Sequence, residues 1–141
     1  MIIFNTFIIL LFGFIFEIVV TRYPLTTFSA GLTGFFHCKF RKVGYARVMI
    51  SDKPNKIFER KPVAESFVKF DRPFYLKGRV KGIFKPCFYL KIIHNCVKAK
   101  IIQQKVYVKR IPSRYIARNG QNFYFFNIGY PELSHLEGRA E

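Results

Sequence analysis

The chain has 141 residues, with 24 Lys and Arg against 8 Asp and Glu, a formal net charge of +16 and a hydrophobic fraction of 50%. That length suits one domain, and so high an apolar fraction excludes a disordered basic tail. The absence of a Gly-X-Y period and of any heptad run excludes collagen and coiled coil; 18 Phe, 8 Tyr and no Trp leave a small, Phe-rich, very basic domain.

The first element is apolar almost without interruption. From Ile2 to Val20 only Asn5, Thr6 and Glu17 break the run, and no Lys or Arg precedes Arg22. Such a stretch ahead of a polar domain predicts a secretory signal over residues 1–20, with cleavage somewhere in 20–30 and the folded domain over 30–141. Cleavage after Ser29 sets Thr27 and Ser29 at the small-residue positions, and cleavage after Thr21 is the other choice. The run is nearly long enough for a signal anchor, although Glu17 makes stable spanning costly. Export in turn makes Cys38, Cys87 and Cys96 disulfide candidates. Their odd number leaves one thiol free or available to a second copy, so a homodimer stays open.

From residue 32 onward the pattern predicts strands. Residues 32–40 and 45–50 are rich in β-formers and flank a polar turn at 41–44. Ser51 to Lys61 reads as a loop, with Asp52, Pro54 and Asn55. Strands at 66–70 and 74–78 flank the turn Asp71-Arg72-Pro73. In 87–93, Phe88, Leu90 and Ile92 take one face and Tyr89, Lys91 and Ile93 the other. In 104–111, Val106 and Val108 lie opposite Lys105, Tyr107 and Lys109. Asn119-Gly120 is a tight-turn dipeptide leading to a last strand at 121–129. Seven or eight short strands with regular turn signals predict an all-β sandwich.

Four blocks in this order resemble the nematode transthyretin-like family of small secreted proteins. The first is Gly34-Phe35-Phe36-His37-Cys38, followed by Val48 and Ile50; the second is Phe74-Tyr75-Leu76-Lys77-Gly78. The third is Leu90-Lys91-Ile92-Ile93-His94-Asn95-Cys96. The fourth runs from Val106 through Ile111-Pro112-Ser113-Arg114-Tyr115-Ile116 to Phe126-Asn127-Ile128-Gly129 and Leu133. The resemblance implies a transthyretin-like (prealbumin-like) β-sandwich, export, and life in the extracellular space or at the cell surface. It implies no particular activity. Cys87 has no counterpart in the family pattern, so no disulfide pairing is carried over.

Catalytic chemistry finds little support. Nucleophilic catalysis needs a His held by a carboxylate, and Arg72 to Pro131 contains no Asp or Glu to hold His94. The tetrapeptide Tyr-Arg-Gly-Ser of the fold's hydroxyisourate-hydrolysing branch is also missing. The pairs His37-Cys38 and His94-x-Cys96 lack the spacing of a zinc site, so neither a metal nor a cofactor is expected. Charge is the strong signal. Anion-binding candidates are Lys77, Arg79, Lys81, Lys85, Lys98, Lys100, Lys105, Lys109, Arg110, Arg114 and Arg118, all in the acid-free span. Cations without local acids make a field that steers polyanions. The expected function is non-enzymatic binding of an anionic extracellular partner, whether a phospholipid head group, a sulfated glycan or an acidic protein. The alternative is a basic nucleic-acid-binding β domain that is not secreted, favoured by basic residues interleaved with rings and opposed by the export signal and the ordered blocks.

Overall fold

A computed structural model describes residues 2–22, 24–55, 58–98, 103–136 and 139–140 of the chain. Helix α1 spans Ile2–Arg22. Its apolar side chains surround the axis instead of forming one stripe, and those described, 3–18, are exposed. Among the described residues no helix is long and apolar enough to cross a membrane.

Among the described residues nine strands follow: β1 (Thr26–Gly34), β2 (Tyr45–Ser51), β3 (Ala64–Lys69), β4 (Phe74–Gly82), β5 (Tyr89–His94), β6 (Lys105–Arg110), β7 (Ala117–Arg118), β8 (Phe126–Asn127) and β9 (Arg139–Ala140). They form two sheets. The small one has the order β4-β1-β7, with β8 also pairing β1; the large one has the order β3-β2-β5-β6-β9. Pairing is antiparallel except at the two-residue β1–β8 contact. The molecule is therefore an all-β sandwich.

Period-2 alternation builds the core. Phe28, Ala30 and Leu32 of β1 and Phe74 and Leu76 of β4 face Ala46, Val48 and Ile50 of β2 and Leu90 and Ile92 of β5. Phe36 and Phe88 are fully buried in the same cluster, each worth about 1.5–3 kcal/mol of transfer free energy. Cys38, after β1, is bridged to Cys96, after β5, so the connection leaving the small sheet is tied to the large one. Cys87 is free and exposed.

The large sheet is covered on its other face as well. There Met49, Ile93 and Val106 form a second apolar cluster, and Lys91 and Glu59 are both buried. Lys91 Nζ lies 3.2 Å from Glu59 Oε2 and also donates to the Lys53 carbonyl. The loop after β2 thus folds back over the sheet and carries the carboxylate that Lys91 meets.

Two elements differ from the sequence expectation, the first at both ends. β1 begins at Thr26, not 32, because the alternation of Thr27, Phe28, Ser29 and Ala30 abuts the apolar run of α1 and is masked by it. It ends at Gly34, whose φ of +150° breaks the ladder, so 35–40 is not strand. The predicted strand 121–129 pairs only at Phe126–Asn127. Residues ahead of it instead cross the outer face of β1, where a Cβ on Gly31 would stand 2.6 Å from Phe123 and 2.7 Å from Phe125. Two rings fill the space that the missing side chain leaves.

Candidate anion-binding face

β4 turns Phe74, Leu76 and Gly78 inward and Tyr75, Lys77, Arg79 and Lys81 outward. Three cations therefore stand in a row on the outer face of the small sheet, about 7 Å apart from one to the next. Their register partners on β1 are Gly31, Ser29 and Thr27, all small, so the cations rise over a low floor. At one end of the row the floor becomes aromatic. Lys77 Nζ sits 4.3 Å from the Phe123 ring centre, within cation–π range. Phe123 meets Phe125 edge-on at 5.0 Å, and Phe125 meets Tyr75 at 5.9 Å. Among the described residues, none of the three cations forms an ion pair; Asp71, Glu132, Glu65 and Glu59 pair with other groups.

The other predicted cations do not join this row. Lys85 and Arg118 line a hollow of about 300 Å³ at the end of the sandwich where the chain enters it. Lys105 and Lys109 lie on the inward side of β6, with Lys109 Nζ 5.7 Å from the Phe126 ring. Arg110 points from the opposite face of β6 and donates to Cys87 Sγ at 3.1 Å. Arg114 packs on Tyr115 at 5.1 Å, Lys98 is exposed beyond β5, and Lys100 lies outside the described residues. Of the candidate cations, Lys77, Arg79 and Lys81 thus share one row on the small sheet, and the other described ones stand apart from it. Lys91, inside the acid-free span, does meet a carboxylate, though not a local one. Its partner, Glu59, comes from outside the span.

At the far end of the sandwich a polar cluster forms that the sequence did not signal. His37 Nδ1 meets Asp71 Oδ1 at 2.9 Å, and the Tyr130 hydroxyl donates to the same oxygen at 2.6 Å. His37 Nε2 lies 3.6 Å from Glu132 Oε2, and Glu132 Oε1 accepts from the Lys39 backbone N–H at 3.0 Å. The bond to Asp71, aided by the charges of Asp71 and Glu132, raises the His37 pKa. The Tyr130 and His37 hydrogen bonds lower that of Asp71. Asp71 thus holds His37, not His94, and the free nitrogen of His37 faces a carboxylate where a triad needs a nucleophile. His94 is buried, and its Nδ1 accepts from the Cys96 N–H at 3.1 Å, which puts the proton of the neutral ring on Nε2. Cys38, Cys96 and Glu132 group within 4.8 Å, but both sulfurs are spent in the disulfide and offer no thiolate to a metal.

Tyr75, Phe123 and Phe125 were not among the expected site residues. Alternation in 74–82 foretells the outward side of β4; nothing local foretells that 123–125 folds over Gly31. No protein-family model matches the chain, and neither a curated protein nor a solved structure does.

Proposed function

We propose that this chain is a non-enzymatic binding protein with a transthyretin-like sandwich, exported to the extracellular space or cell surface, that takes an anionic partner on Lys77, Arg79 and Lys81. One observation carries the reading: three cations share one face in register, and among the described residues none of them forms an ion pair. A solvated strand face usually mixes both signs, whereas this one has a single sign and a floor low enough to admit a chain of anionic groups. The ordered motif blocks support the family assignment, with Leu90 to Cys96 forming β5 and its exit and Pro112 preceding a one-turn 3-10 helix at Ser113–Tyr115.

Export by cleavage after Thr21 would leave the sandwich whole. Cleavage after Ser29 would remove four residues of β1, Phe28 of the core among them, so we assign the cut to the earlier site.

Heparin-affinity retention tests the reading. The triple reversal K77E/R79E/K81E removes three cations worth on the order of 1 kcal/mol each near an anionic surface, so affinity falls about a hundredfold. Reversal of Lys98 and Arg114, away from the row, changes it little. Binding that survives half-molar salt, or that the triple reversal leaves intact, would refute the proposal. Tighter binding to a single-stranded oligonucleotide than to heparin would favour the nucleic-acid reading instead.

A further inference from the structure

The end of the sandwich where the chain enters has a composition of its own. Thr26 of β1 pairs with Gly82 of β4, so the start of β1 and the turn after β4 lie side by side. Here the apolar side chains point outward: Phe84 is 82% exposed, Leu25 67% and Ile83 45%. Lys85 and Arg118 border the hollow next to them, and Lys81 pairs with Thr27 one step up the sheet. Arg118 is fixed there by its backbone N–H, which donates to Gln121 Oε1 at 2.9 Å. Among the described residues no carboxylate lines the hollow.

Single exposed apolar residues need no explanation. Three at one end of the sandwich, with Lys85 and Arg118 beside them, do. We infer that this end of the sandwich rests on an anionic lipid bilayer, with Phe84 and Ile83 entering the head-group boundary and Lys85 and Arg118 meeting the phosphates. The inference rests on the anionic-partner reading and names the partner for this second surface. Rings and aliphatic tips gain by leaving water at the boundary, and adjacent cations gain from the negative leaflet.

The absence of Trp gives a clean probe. F84W in the full chain places a lone indole at the tip, and F67W places one on exposed Phe67 of β3 as a control. The lipids are phosphatidylcholine vesicles with and without one third phosphatidylglycerol, carrying brominated acyl chains. With the anionic vesicles, F84W emission shifts to the blue and is quenched by bromine, while F67W emission is not. Half-molar salt removes the effect, and adding K85E/R118E weakens it about 25-fold, at roughly fivefold per cation. Co-sedimentation without quenching of F84W would overturn the inference, because another part of the chain would then be holding it on the vesicle. Equal quenching at both positions, or equal quenching of F84W in neutral vesicles, would overturn it too. Heparin retention that survives K77E/R79E/K81E, with F84W quenching intact, would sink only the row; retention lost as expected, with no quenching of F84W, would sink only the lipid contact.

Discussion

His94 is the residue whose chemistry departs furthest from its ordinary form. Burial, then the charge of Lys105, lowers its pKa to about 4, and Glu132 opposes them weakly. The unfolded chain takes up the proton near pH 6.5, so between about pH 4 and 6.5 the unfolded state binds more protons and stability rises with pH. His37 acts in the opposite sense. Its raised pKa gives a contribution that is complete below about pH 6.5 and is lost as pH rises through its folded value. Comparing urea denaturation of the wild type and H94Q at several pH values isolates the first effect. The wild type should lose up to about 1.4 kcal/mol per pH unit on acidification through that window relative to H94Q. Parallel profiles would mean that His94 takes up its proton as readily in the folded chain as in the unfolded one.

The same reasoning at the scale of an element concerns the loop between β2 and β3. Glu59 on that loop and Lys91 on β5 are both buried, and Ser51 Oγ donates to Glu59 Oε2 as well. Removing one partner of a buried pair costs about 3–5 kcal/mol, whereas replacing both with apolar groups is often neutral. E59Q should therefore destabilise the chain by about 3 kcal/mol or more in urea, and E59L/K91M by much less. An E59Q chain as stable as the wild type would show that the loop does not pin the sheet. Alternation put Lys91 on the outward face of β5, which is where it lies. What the sequence could not reveal is the cover: Ser51 to Lys61 is polar and reads as solvated, and only its return path over β5 takes Lys91 out of water.

At the scale of the molecule, the two-sheet sandwich was legible because period 2 and turn chemistry are local signals, and both survive in β2, β4, β5 and β6. The signals failed at the ends of the chain segment. β1 lost its first half to the adjoining apolar helix, and 121–125 has the composition of a strand but serves as a cover over Gly31. The site was legible to the same degree. Alternation in 74–82 sets Lys77, Arg79 and Lys81 on one side, while the scatter of the other cations follows from which sheet, face and edge each strand occupies, which no local pattern encodes.

The bridge between Cys38 and Cys96 spans 58 positions and ties the two sheets at one end. Under mechanical load its effect is geometric. A chain gripped at its two termini and stretched until the sandwich opens cannot pay out the segment between the sulfurs, because tension runs through the covalent link and past it. Full extension of the oxidised form should fall short of the reduced form by about 200 Å of contour length. Single-molecule force measurements with and without a reductant read that difference directly, and equal contour lengths would place the two sulfurs apart. Strands β2 through β5 would then feel force only after reduction, so in an oxidising medium most of the large sheet is sheltered from any pull on the ends of the chain.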